Sequence, residues 1–112
     1  MEKALTRKII PSFKVWLEVD GKPVVGRGGV KILQAIEKEG SIGKAAKSLG
    51  MSYRYVWAYL RRINKVLGVS VVESRVGGLG GGETRLTETG LWLVKEYLRV
   101  EKILENALKK LR

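Results

Sequence analysis

Arg54, Ala58, Arg61 and Lys65 follow one another at steps of three or four residues, a spacing that puts three cations and one small side chain on a single face of a helix. A guanidinium held on such a face offers two parallel N–H donors, the geometry that meets O6 and N7 of guanine or two oxygens of a phosphate. Alanine lets a helix approach closely and can touch a thymine methyl. With Val56 at 0° on a wheel of about 100° per residue, Leu60, Ile63 and Leu67 lie within about 40° of it. The cationic stripe lies opposite, flanked by Tyr55 and Arg62. A helix laid in a major groove presents its N-terminal half to base edges and its later residues to the backbone. Ser52, Tyr53, Arg54, Tyr55 and Ala58 are therefore expected nearest the bases, and Arg61, Arg62 and Lys65 at phosphates. Ser41 and Lys44, at the start of the preceding helical segment, are added as contacts.

Four aromatic residues interleave with these cations: Tyr53, Tyr55, Trp57 and Tyr59. They can be read as a stacking platform for single-stranded nucleic acid, where each stacked base contributes about 1–3 kcal/mol. Tyr53 and Tyr59 flank the apolar stripe, however, so completion of the packing is the stronger reading for those two. Trp57, at about 100° on the same wheel, either lines a groove or fills the boundary of the core.

The charge of the whole chain agrees with the local pattern. Its 112 residues carry 22 Lys and Arg against 11 Asp and Glu, a net charge of +11. No acid lies between Glu39 and Glu73, where an even spread of the 11 acids would place about three. Six cations occupy that interval: Lys44, Lys47, Arg54, Arg61, Arg62 and Lys65. Duplex DNA carries one negative charge per ~1.7 Å of axis, so a docking face repays the exclusion of carboxylates.

The elements that must position these residues are legible in outline. Phe13, Val15, Leu17 and Val19 alternate with Lys14, Trp16 and Glu18 at the period of a half-buried strand. Asp20-Gly21 predicts a tight turn, and Val24-Val25 a short returning strand. Gly26, Gly28 and Gly29 interrupt the pattern, so helical spacing is predicted from Val30, with Ile32, Leu33 and Ile36 inward and Gly40 as the stop. Ser41 then caps a second helix, in which Ile42, Ala45, Ala46 and Leu49 form the buried stripe. Gly50 ends it, Ser52 caps a third, and Gly68 ends that one. Val69, Val71 and Val72 predict a strand reaching Arg75, and a second strand surrounds Thr84-Arg85-Leu86. The tip between them holds Gly77, Gly78, Gly80, Gly81 and Gly82, where backbone N–H groups can come close to phosphates. Arg75 and Arg85, one on each side, can grip a strand, although Glu83 sits beside them. Thr87 caps a long final helix with a broad apolar stripe: Val94, Tyr97, Leu98, Val100, Ile103, Leu104, Ala107, Leu108 and Leu111.

The predicted fold is thus mainly α with small β hairpins, a winged helix-turn-helix with a long C-terminal dimerisation helix. Its expected divisions are a basic N-terminal arm at 1–11, the winged unit at 12–87 and the dimerisation helix at 88–112. The recognition helix is placed at 52–67 and the wing at 75–85.

Other chemistries find no support. Without cysteine or histidine there are no disulfides, Cys/His zinc sites, thiol nucleophiles or Ser-His-Asp triads. The glycine tip matches neither common phosphate cradle. No Gly-Lys-[Ser/Thr] follows it, and Gly78-x-Gly80 is followed by Glu83 where a dinucleotide fingerprint needs glycine. The carboxylates are scattered among cations, leaving no general acid/base pair, so neither an enzyme nor a cofactor is expected.

Gly40-Ser41-Ile42 with Ala45-Ala46, Gly50-Met51-Ser52-Tyr53 with Trp57, Asn64, the glycine tip and Leu86-Thr87-Glu88-Thr89-Gly90 occur here in a specific order. In these stretches the chain resembles the DNA-binding half of the molybdate-responsive ModE regulators, and more loosely the N-terminal domain of LysR-type regulators. The likeness runs from about Phe13 to Tyr97. It implies a winged helix that pairs through its terminal helices and regulates transcription at a palindromic operator. By matching position it gives Ser52, Tyr53 and Arg54 the base-reading role and the wing, Gly80 included, a backbone role. The family's oxyanion-binding domains would follow Arg112, so molybdate or tungstate binding is not expected of these 112 residues.

The expected partners are double-stranded DNA and a second copy of the chain, in the cytoplasm and away from membranes. The seam is expected at Val94, Tyr97, Leu98, Ile103, Leu104, Leu108 and Leu111. An architectural chromatin protein that binds DNA with little sequence preference is the alternative. A phosphate-handling enzyme subunit is a more distant one.

Overall fold

Asp20 and Gly21 both have positive φ, at 51° and 76°, the pairing that closes a two-residue hairpin. The computed structural model describes residues 9–75 and 82–111. In it, β1 (Trp16–Val19) and β2 (Lys22–Gly26) pair antiparallel across that turn, with Trp16 opposite Gly26 and Leu17 opposite Val25. The expected strand from Phe13 begins only at Trp16. Its partner runs out at Gly26, where the chain turns directly into α1 (Arg27–Glu39).

That helix starts three residues before the predicted Val30, and Gly28 and Gly29 lie inside its first turn. The reason is tertiary: a Cβ on Gly29 would lie 1.9 Å from the Tyr59 hydroxyl. Gly29 is a point of close approach between two helices and not a local break.

The next three boundaries follow local capping. The Gly40 N–H donates to Ile36 O at 2.8 Å with the glycine at φ 79°, a left-handed stop. Ser41 Oγ accepts from Lys44 N at 3.0 Å and opens α2 (Ile42–Leu49). Gly50 closes it, and Ser52 Oγ accepts from Tyr55 N at 3.0 Å to open α3 (Tyr53–Leu67), which Gly68 ends. Between these helices the buried faces are Val30, Ile32, Leu33 and Ile36 of α1, Ala45 and Ala46 of α2, and Val56, Leu60 and Ile63 of α3. The two alanines keep the middle of the core narrow, which lets α2 sit against both of its neighbours.

The wing is a second hairpin, β3 (Val72–Arg75) with β4 (Glu83–Leu86), in register from Val72 opposite Leu86 to Arg75 opposite Glu83. Three contacts lock its base. Asn64 Oδ1 accepts from Val71 N at 2.9 Å, tying α3 to the strand. Thr84 N donates to Gly40 O at 2.8 Å, tying the wing to the end of α1. Thr84 is itself buried, with its Oγ1 3.2 Å from Ser74 Oγ.

Thr87 then joins wing and final helix. Its Oγ1 accepts from Gly90 N and donates to Ser70 O, and its own N–H donates to Val71 O. The helix α4 (Glu88–Leu111) buries Gly90, Leu93 and Tyr97 against the body. Beyond Tyr97 none of its described residues is buried. Among the described residues no helix is long and apolar enough to cross a membrane.

Candidate nucleic-acid interface

The caps at Ser41 and Ser52 decide which way α2 and α3 face. Each serine oxygen accepts from a backbone N–H in the first turn, and among the described residues its own O–H has no acceptor. With Val56, Leu60 and Ile63 buried, the rest of the α3 wheel must turn to solvent. Tyr53, Arg54, Tyr55, Trp57, Ala58, Arg61 and Lys65 are all exposed, as are Lys44 and Lys47 on α2. Among the described residues none of these five cations has a carboxylate within ion-pair distance. The face is therefore electrostatically uncompensated, the condition for attracting a polyanion.

Individual side chains differ from expectation. Tyr53, read both as completing the packing and as facing the bases, is 57% exposed and does not pack inward. Tyr59 does pack inward, against Gly29, and its burial pushes the phenol pKa up. Trp57 is 41% exposed and carries the Arg61 guanidinium 4.8 Å above its ring. This stack holds Arg61 in one orientation on the outer face.

Arg62 was expected at a phosphate and turns elsewhere. Its guanidinium donates to Pro23 O at 3.1 Å and Val24 O at 3.4 Å and lies 5.0 Å over the Tyr59 ring. Among the described residues β2 pairs with β1 alone, and Arg62 donates to these two β2 carbonyls. Arg62→Ala is thus expected to lower stability by about 1–2 kcal/mol, read by denaturant unfolding. A change confined to the salt dependence of DNA binding would restore the phosphate role.

The wing is less cationic than its two arginines suggest. Arg85 Nε lies 3.8 Å from Glu83 Oε1, and Arg75 stands opposite Glu83 in the ladder. Both arginines are exposed. Gly80 and the rest of the tip at 76–81 lie outside the described residues.

On α4, Leu98, Ile103, Leu104 and Leu111 are exposed, while Val94 and Leu108 are half-buried. Tyr97 is a correction: at 2% exposure it belongs to its own core and has no surface to give a seam. Its hydroxyl donates to Glu101 Oε2 at 2.8 Å, and Arg27 donates to the same oxygen from Nη2 at 3.0 Å and Nε at 3.3 Å. These donors hold the Glu101 carboxylate below its usual pKa, the tyrosine hydrogen bond contributing most. Sequence reasoning had no signal for this cluster, since Arg27 and Glu101 are 74 residues apart. The structural role of Asn64 was equally hidden.

Two helices at the angle set by Gly50, a hairpin wing and an uncompensated basic outer face define a winged helix-turn-helix protein. Residues 29–91 match the family of bacterial regulatory helix-turn-helix proteins, lysR family, and the chain belongs to it. It is 35% identical over 92 residues to the molybdenum-pterin-binding protein MopA of Rhodobacter capsulatus, covering 82% of this chain and 35% of that one. It is 34% identical over 95 residues to the molybdenum transport protein ModE of Azotobacter vinelandii, covering 85% and 35%. The chain spans about a third of the length of these curated relatives. Among solved structures, the BenM DNA-binding domain in complex with catB site 1 DNA has the same fold. The TM-score is 0.55 at 17% identity, over 74% of this chain and 87% of that one.

Proposed function

We propose that this chain binds duplex DNA sequence-specifically as a homodimer and regulates transcription. The observation that carries this is the outer face of α3: exposed cations without carboxylate partners, on the second helix of a helix-turn-helix in a family of bacterial regulators. In this reading the first turns of α3 enter the major groove. Ser52, Tyr53, Arg54, Tyr55 and Ala58 face base edges, while Arg61, Lys65, Ser41 and Lys44 meet phosphates. The wing, through Arg75, Gly80 and Arg85, follows the adjacent backbone. Its partner places the protein in the cytoplasm with the chromosome. Binding of DNA needs no catalytic group and no cofactor. The molybdenum in the names of the two relatives is not carried over, since each is matched over only about a third of its length.

Selection of bound genomic fragments, followed by competition against random DNA, tests this reading. A sequence-specific regulator binds its site ~10³–10⁷ times more tightly than random sequence. A ratio near one would make the protein an architectural binder instead.

The second copy is proposed to dock on the outer half of α4, where Leu104 and Leu111 share one exposed face and Ile103 and Leu98 are exposed beside it. Leu104→Asp puts a charge on that face and is expected to give monomers in sedimentation experiments, with the domain still folded. A variant that sediments as a dimer would move the seam to another face.

A further inference from the structure

We propose that Arg27, Tyr97 and Glu101 form a clamp that sets the angle at which α4 leaves the body, and through it the spacing of half-sites that a dimer accepts. The inference rests on the dimeric DNA-binding reading above.

Three donors converge on one carboxylate oxygen, Glu101 Oε2: Tyr97 Oη, Arg27 Nη2 and Arg27 Nε. The Glu101 side chain is 16% exposed and the Arg27 side chain 64%, so the tyrosine hydrogen bond is the sheltered one and the arginine meets the carboxylate from the solvent side. The position of the contact gives it leverage. Arg27 is the first residue of α1, the helix against which α2 packs, so it reports the orientation of the reading head. Tyr97 is the last buried residue of α4, and Glu101 stands one turn further out. Among the described residues the clamp is the outermost hydrogen-bonded attachment of α4 to α1.

From Glu101 to Leu111 the helix runs ten more residues, about 15 Å at 1.5 Å per residue. A swing of about 10° at the clamp moves the far end by roughly 2.6 Å over that length. One base-pair step is about 3.4 Å. A small change of angle thus shifts the separation of two paired reading heads by about one base pair. Apolar packing at Leu93 and Tyr97 resists detachment of α4 but is non-directional. A carboxylate fixed by three donors resists rotation.

Two measurements on the full chain test this. The protein has no cysteine, so Lys47→Cys and Lys109→Cys can be spin-labelled and diluted with unlabelled protein. The intrachain distance distribution is expected to be narrow in the parent and at least twice as broad with Glu101→Ala. Next, affinity is measured on operators whose half-site spacing is changed by one and two base pairs. Glu101→Ala is expected to cut the preference for the best spacing at least tenfold, leaving base preference within each half-site unchanged. Tyr97→Phe, which removes one donor and keeps the ring, should fall between. An unchanged distance distribution would overturn the clamp. A broadened distribution with an unaltered spacing profile would overturn its role in specificity. If the parent binds no specific site, the functional reading fails, and the distance measurement still decides the clamp.

Discussion

Gly90→Ala is expected to destabilise the protein by about 3 kcal/mol, at the upper end of what overpacking costs in a well-packed interior. A Cβ at this position would lie 2.2 Å from Val71 O and 3.2 Å from the Leu86 Cβ. The first obstacle is backbone and cannot swing aside as a side chain would. Val71 O also accepts the Thr87 N–H, so displacing it breaks the bond that seats the start of α4 on the wing. For a chain of this length the loss corresponds to roughly 10–20 °C in melting temperature. Gly43→Ala is the control. Nothing lies within 4 Å of a Cβ there, so exchanging glycine for alanine in α2 should be neutral or stabilising by up to about 1 kcal/mol. Denaturant unfolding of both variants reads the contrast, and a Gly90→Ala protein as stable as its parent would show that the junction yields easily.

Arg54→Ala is expected to have the largest effect on binding, and none on the fold. The side chain is exposed on the first turn of α3 and makes no ion pair or hydrogen bond among the described residues. Loss of a bidentate guanine contact costs about 1–3 kcal/mol. In a dimer it is lost twice, which weakens binding to the best operator by about 30-fold to about 10⁴-fold. The loss should be confined to sites carrying the cognate base, with preference relaxed at one position in each half-site. Loss of Arg61 or Lys65, proposed to meet phosphates, would instead weaken all sequences alike and reduce the salt slope. A uniform loss for Arg54→Ala would therefore reassign it to the backbone.

These two positions show how unevenly the molecule can be read from its residues. The helix ends at Gly40, Gly50 and Gly68 and the caps at Ser41 and Ser52 were legible because capping involves neighbours three or four residues away. The inward stripe of α3 was legible for the same reason of short period. The start of α1 is hidden because Gly28 and Gly29 look like breakers, and the use of Gly29 depends on Tyr59, thirty residues on. The burial of Tyr97 is not legible because a continuous apolar stripe does not say where the body beneath it ends. Gly90 was visible as part of a motif, but its physical purpose required Val71 O.

Arg62 makes the distinction most plainly. Charge alone does not separate it from Arg61, and wheel position only moves it to the flank of the same face, yet one is stacked outward on Trp57 and the other folds back on the carbonyls of β2.

By itself, the sequence determined the order of elements, the caps, the apolar faces and the acid-free basic segment. All of these follow from spacing within a turn or two of helix or strand. Only the tertiary structure decided which cations remain free to meet a partner, where α4 leaves the core and what holds it there. Those depend on atoms brought together from distant parts of the chain, for which local spacing carries no signal.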